Sequence, residues 1–186
     1  MLTTGNQSES DADAPKGVSA FLALGGNLGD RDAVFRSALR RLCENGFAIE
    51  AVSSFYETAP VGCEPGAPAF YNAVVRGRWA GSPEALLGLC RKLEVEAGRP
   101  ADHPHWHSRT LDLDLILFGD RILASESLTV PHPRAHERLF VMVPLAEIAP
   151  EVVFPTLRRS ASAILHSLDC GGEMPHRVRD AFRMDR

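Results

Sequence analysis

Between Arg109 and Gly119 the chain reads Arg-Thr-Leu-Asp-Leu-Asp-Leu-Ile-Leu-Phe-Gly. Leu111, Leu113, Leu115 and Leu117 alternate with Asp112, Asp114, Ile116 and Phe118, and a period of two is the mark of a strand with one apolar face. Side chains two apart share a face, so Asp112 and Asp114 stand side by side, roughly 7 Å apart at the backbone. Asp is depleted in strands and adjacent like charges repel, so the pattern is costly unless a cation offsets it. Two readings stay open on these residues alone. Either a half-exposed strand carries two aspartates on its solvent face, or the pair shares divalent ions held about 3.5–4 Å apart. Oxygen ligation of this kind suits Mg²⁺, which takes one or two carboxylates and completes its shell with water and phosphate oxygens. Arg109, just before the strand, adds a guanidinium that matches phosphate.

The rest of the chain narrows the setting. A length of 186 residues suits one domain with a sizeable core, and the apolar share of 45% and charged share of 24% are those of a globular protein. A net charge of −4 without a long basic run argues against a nucleic-acid surface. No stretch approaches the length of a membrane span. Cysteines 43, 63, 90 and 170 show neither metal-type pairing nor a dense framework, which suits a reducing cytoplasm. There is no internal repeat at solenoid periods.

Residues 1–17 are polar, lack the charged start and apolar run of a signal peptide, and read as a disordered leader. Val18 to Leu24 reads as a buried strand running into the turn Gly25-Gly26-Asn27-Leu28-Gly29-Asp30. That turn is neither a P-loop nor a dinucleotide fingerprint; it reads as a strand-to-helix turn capped by Asp30 or Asn27. Val34, Phe35, Ala38, Leu39 and Leu42 then form a helical stripe closed by Gly46. Ala48 to Glu57 reads as a second strand, the Pro- and Gly-rich run from Thr58 to Pro68 as a loop, and Phe70 to Trp79 as a third strand. Asn72 is a polar residue among apolar ones and either caps the strand edge or reads a ligand. Ser82-Pro83-Glu84 starts a helix with a hydroxyl cap, a proline and an acid in the first turn. Its stripe is Leu86, Leu89, Cys90, Leu93 and Ala97, and Gly98 stops it; Glu94, near its end, could pair at the surface with Arg91 or Arg99.

Arg99 to Ser108 is a loop containing Trp106 and three alternating histidines, but no cysteine or helical histidine spacing supports zinc there. Trp106 has no core to fill in such a loop, and loops flanking a site often carry its lid. Beyond the central strand come a short strand at Leu128–Val130, a short helix from Arg134 to Met142, Pro144, and a last helix from Ser160 through Leu168; residues 169–186 read as a flexible tail. One domain, residues 18–168, is expected. The order strand-helix-strand-strand-helix-strand is that of a ferredoxin-like split βαβ, an α+β fold. It implies an antiparallel-rich sheet with helices packed on one face and long active-site loops at a ligand edge.

Several of these segments resemble a known family. Gly25-Gly26-Asn27-Leu28-Gly29-Asp30, Ser53-Ser54-Phe55-Tyr56-Glu57-Thr58, Phe70-Tyr71-Asn72, Arg109-Thr110-Leu111-Asp112-Leu113-Asp114 and Val130-Pro131-His132 follow in the order found in 6-hydroxymethyl-7,8-dihydropterin pyrophosphokinases of folate biosynthesis. The resemblance spans roughly Ala20 to Leu168. It implies transfer of pyrophosphate from MgATP to the pterin's hydroxymethyl oxygen, with release of AMP. Asp112 and Asp114 would hold two Mg²⁺ ions, Arg99 and Arg109 would clamp the phosphates, and His132, Arg138 and Glu94 would lie by the nucleotide. Phe70 and Phe140 would sandwich the flat ring, Asn72 would read its amide edge, and Thr58, Ala59 and Val61 would form one wall. Trp106 would close over both substrates and exclude water. The implied partners are ATP and the pterin, with no nucleic acid and no membrane, and the chain is expected to act as a cytoplasmic monomer.

The chain also departs from the family pattern. Ala101, Asp102 and His105 stand where basic residues are common, Pro133 where a tyrosine can stand, and Ser127 where an arginine can occur. Fewer cations should weaken ATP binding or lid closure rather than abolish the chemistry. Gly26 replaces a serine, a change that a turn should tolerate. The residues by themselves leave two rivals: an ordinary Mg²⁺-dependent kinase releasing ADP, and a non-catalytic pterin or nucleotide binder.

Overall fold

A computed structural model describes residues 17–60, 63–98, 108–168 and 174–180. Its main sheet is antiparallel throughout. β1 (Val18–Gly26) lies at its centre, flanked by β4 (Phe70–Trp79) and by β5 (Asp112–Phe118), which forms one edge. On the far side of β4 lie β2 (Ala48–Val52) and β3 (Phe55–Thr58), and β8 (His176–Arg179) adds to β3. The connections β1–α1–β2 and β4–α2–β5 each place another strand between the two they join, which is the expected split βαβ arrangement.

The sheet's two faces carry separate cores. Leu22, Leu24, Ala73, Val75, Leu113 and Leu115 point to the face covered by α1 (Arg31–Glu44) and α2 (Pro83–Glu96). Both helices begin as the residues dictate: Asp30 Oδ1 accepts from Ala33 N at 3.1 Å, and Ser82 Oγ accepts from Ala85 N at 3.2 Å ahead of Pro83. Asp30, not Asn27, is the cap of α1.

The opposite face is covered too, by α3 (Leu139–Ile148) and α4 (Ala161–Ser167), whose Val141, Met142, Leu145 and Ile164 pack on Phe21, Val74, Ile116 and Leu117. This corrects the expectation of helices on one face. The cause lies at Pro144, which sits inside α3 instead of ending it; a 3₁₀ turn at Ala135–Glu137 precedes the helix. Proline costs a helix interior about 3 kcal/mol. Burying side chains such as Met142 and Leu145, each worth about 1.5–3 kcal/mol, outweighs that loss.

Two further differences concern the sheet. The strand expected over Ala48–Glu57 is broken into β2 and β3 by buried Ser53 and Ser54. Ser53 Oγ takes the hydrogen bond from Val74 N (2.9 Å), while Ser54 N and Oγ both donate to Glu147 on α3 (2.9 and 2.6 Å). Within the segment expected as a flexible tail, His176–Arg179 pairs with β3. Arg177 lies 3.7 Å from Glu147 and Arg179 lies 3.0 Å from Asp32, so side-chain charge adds to the strand pairing. Among the described residues no helix is long and apolar enough to cross a membrane.

Candidate active site

The alternation expected along β5 holds as far as Leu115, with Leu113 and Leu115 buried on the α1–α2 face and Asp112 and Asp114 turned to the other. A register shift against β1 then puts Ile116 and Leu117 together on the α3–α4 face and Phe118 on the α1–α2 face. The two aspartates stand opposite Gly25 and Ala23 of β1, two small neighbours that leave room beside the carboxylates. Burial and the adjacent Asp112 charge push the Asp114 carboxyl above its ordinary range, against the opposing pull of His132, Arg138 and Arg109. Asp114 therefore lacks a full complement of positive charge, and a bound divalent cation would supply it. Among the described residues no group of three or more His, Cys, Asp or Glu forms a closed metal site. An open pair of carboxylates fits Mg²⁺, whose remaining ligands are usually water and substrate phosphate.

Arg109 enters from the loop before β5. Its Nη1 is 3.5 Å from Asp112 Oδ2 and its guanidinium carbon is 5.8 Å from the Phe70 ring centre. Its Nε is buried with no hydrogen-bond partner among the described residues. His132 Nδ1 accepts from Arg134 N at 3.2 Å, which places the neutral ring's hydrogen on Nε2. Burial lowers the His132 pKa, with the Asp114 charge opposing. Arg138, the residue just before α3, is half-buried and is felt by both carboxylates.

Glu94 lies inside the fold and not at the surface that its place near the end of α2 suggested; Arg99, one of its two expected partners, lies outside the described residues. Glu94 is 8% exposed, and its Oε1 accepts from Leu113 N at 2.7 Å, the amide between the two aspartates. A buried acid thus holds the free edge of β5 from behind. Cys90, one turn earlier, is buried, and its thiol is pushed up to about 12 by burial and by the charges of Glu94 and Asp114; it stays neutral.

The other half of this face lies on β3 and β4. Asn72 is 5% exposed and pairs in register with Tyr56 and Gly25, while Phe70 pairs with Thr58. Asn72 Nδ2 donates to Thr58 Oγ1 at 2.9 Å, which fixes the amide. A Cβ on Gly25 would sit 3.8 Å from both Asn72 Oδ1 and Asp112 Cβ; bare backbone thus separates the amide from the carboxylate. Phe70 is half-buried and Phe140, at the start of α3, is 36% exposed. Neither ring belongs to the two cores, so neither serves as a core side chain. Ala59 is exposed beside Thr58. Arg99, Val61 and Trp106 lie outside the described residues, as do Ala101, Asp102 and His105.

Three features escaped sequence reasoning. A cleft of about 260 Å³ opens beside Asp114 and His132, walled by Leu87, Leu115 and the Ser125–Thr129 segment between β6 (Leu123–Ala124) and β7 (Thr129–Val130). Only the folding of that hairpin against β5 creates it, so no local signal marks it. Arg31 donates to Ala69 O at 2.7 Å and stacks on the Tyr71 ring at 3.7 Å, fixing the residues on either side of Phe70. Asn27 joins the loop before β4 to the loop before β5. Gly26 was misjudged in another way. It is the last residue of β1, and a Cβ there would run into the carbonyl oxygen of Thr110, so in this chain the glycine is required.

Residues 21–150 match the family model described as 7,8-dihydro-6-hydroxymethylpterin-pyrophosphokinase (HPPK). The chain is 44% identical over 134 residues to the 2-amino-4-hydroxy-6-hydroxymethyldihydropteridine pyrophosphokinase of Bacillus subtilis, covering 72% of this chain and 79% of that protein. The enzyme of the same name from Haemophilus influenzae is 38% identical over 139 residues, covering 74% and 86%. Among solved structures, Plasmodium falciparum HPPK-DHPS with pteroate superposes with a TM-score of 0.64 at 13% identity, over 83% of this chain and 45% of that longer one. This last likeness shows the fold, which is ferredoxin-like. With the ordered motifs, the matched model and these relatives in agreement, the chain belongs to the 7,8-dihydro-6-hydroxymethylpterin-pyrophosphokinase family.

Proposed function

We propose that the open face of the sheet is where this chain carries out its family's reaction, with the two ends of that face serving different substrates. The chain transfers a pyrophosphoryl group from ATP to 6-hydroxymethyl-7,8-dihydropterin in folate biosynthesis. The pterin's hydroxyl oxygen bonds to the β-phosphorus, the bond between that phosphorus and the oxygen bridging to the α-phosphate breaks, and AMP leaves with that oxygen. The hydroxyl proton goes to solvent.

The observation that carries the placement is the pair Asp112 and Asp114 on one open face, with the Arg109 guanidinium 3.5 Å from Asp112. Two Mg²⁺ ions held by these carboxylates would neutralise the triphosphate and lower the hydroxyl's pKa. Phosphoryl transfer needs positioning and charge stabilisation more than covalent help, and the remaining residues supply these. Arg109 offers its guanidinium, held beside Asp112, to phosphate oxygens. His132 donates from Nε2, and Arg138 adds a second cation. The cleft by Asp114 takes the nucleoside, and Glu94 keeps β5 in register beneath it. Asn72 reads the pterin's amide edge, Phe70 and Phe140 flank its ring, and Thr58 and Ala59 form one wall. Arg99, Trp106 and Val61 keep the roles that the resemblance implies.

The test is direct. The protein is incubated with MgATP and the reduced hydroxymethylpterin, and the spent nucleotide is identified. AMP in step with the pterin diphosphate is expected; ADP would make the chain an ordinary kinase, and binding of both ligands without product would make it a binder.

A further inference from the structure

Asn27 is 2% exposed and uses its whole side chain to join two loops far apart in sequence. Nδ2 donates to Pro68 O at 3.1 Å and to Ser108 Oγ at 2.9 Å, and Oδ1 accepts from Arg109 N at 2.8 Å. The backbone reinforces one arm: the amides of Asn27 and Leu28 both donate to Arg109 O, at 2.9 and 3.2 Å. Pro68 lies two residues before Phe70, and Arg109 carries the guanidinium beside Asp112. An amide is the group suited to this place, since it offers two donors and an acceptor without charge. Aspartate would set a carboxylate oxygen against the Pro68 carbonyl, and alanine would leave buried partners unsatisfied.

We infer that Asn27 is a positioning residue that couples the two substrates, holding the ring-side loop and the phosphate-side loop in one arrangement. This rests on the assignment of Phe70 to the pterin and Arg109 to the triphosphate. When phosphate draws Arg109 into place, Asn27 passes the adjustment to Pro68 and so to Phe70. Pterin acts on Arg109 by the same route in reverse. Coupling of this kind is reciprocal, and each ligand tightens the other by the same factor.

The experiment measures the affinity of the hydroxymethylpterin with and without Mg²⁺ and an ATP analogue whose α–β bridging oxygen is replaced by methylene. It uses the full chain and the variants Asn27→Ala, Asn27→Asp and Ser108→Ala, with AMP production by each followed in parallel. In the unsubstituted chain the analogue should tighten pterin binding by about 5–150-fold, the usual range of such couplings. In Asn27→Ala the factor should fall at least about fivefold, while each ligand alone loses less affinity than the pair does. Asn27→Asp keeps the acceptor for Arg109 N and should lose pterin affinity more than nucleotide affinity. Ser108→Ala removes one arm and should give an intermediate factor; if Asn27→Ala does not fold, this variant decides. An unchanged factor in a folded Asn27→Ala or Ser108→Ala, or no coupling in an unsubstituted chain that makes AMP, overturns the inference and leaves the site reading intact. A chain that makes no AMP and binds neither ligand overturns the site reading first.

Discussion

The proposed phosphate end and the proposed ring end of this site are built from the same sheet in different ways. Asp112 and Asp114 lie at the start of a strand, but they are backed by buried Leu113 and Leu115 and held at the free edge by Glu94. Phe70 and Phe140 also stand at the starts of their elements, outside both cores, and depend on neighbours such as Arg31 for their setting. The contrast follows from what each end must do. Charged oxygens that share small cations need fixed positions and withstand mutual repulsion only on a rigid support. Aromatic faces can tolerate some movement, because stacking depends weakly on exact placement.

The strongest way to break this comparison is to remove the carboxylates. Asp112→Ala or Asp114→Ala should each lower kcat by roughly 10²–10³, the usual scale for loss of one preorganised electrostatic group, with little change in Tm. Near-normal turnover in both variants would end the claim that the strand holds the metal. Second in size is Gly26→Ser, which sets a side chain against the Thr110 carbonyl. Overpacking of this sort costs about 1–3 kcal/mol, so Tm should drop, and turnover should fall because Thr110 lies between Arg109 and Leu111. A variant with unaltered Tm and rate would show that the two strands part easily.

Phe70→Ala should raise KM for the pterin about fivefold, as expected for about 1 kcal/mol of stacking, and leave kcat and Tm nearly unchanged. A large loss of stability would make Phe70 a core residue and erase the difference between the two ends. The smallest effect concerns protonation. Since burial and Asp112 raise Asp114 above its unfolded value, its contribution to stability is fully present below the unfolded pKa and is lost as pH rises through the folded one. Asn cannot ionise. Metal-free Asp114→Asn should therefore melt above the unsubstituted protein at neutral pH, by a few degrees at about 2–4 °C per kcal/mol, and below pH 3 the gap should close. Equal melting at neutral pH would show that neither burial nor the Asp112 charge disfavours the Asp114 carboxylate.

What could be read from the chain beforehand was whatever depends on neighbours in sequence. The β5 alternation from Asp112 to Leu115, the Ser82-Pro83 start and the Asp30 turn are local patterns, and each stands in the structure. The register shift against β1 that reverses Leu117 and Phe118 is not local. What escaped depends on contacts across the fold. Pro144 looked like a stop because the local penalty is visible and the buried apolar face is not. His176–Arg179 has no strand signature of its own and is ordered by β3, Glu147 and Asp32. Asn27 was legible as a turn residue, but its partners lie 41 and 81 residues away.

Gly25 has one more consequence. It occupies the register position between Asn72 and Asp112, so two inter-strand spacings, about 9–10 Å, separate the backbones of those residues. The sheet is thereby a gauge. A heterocycle whose recognised edge meets Asn72 can offer its alcohol to the triphosphate only if ring and side arm together have the matching length.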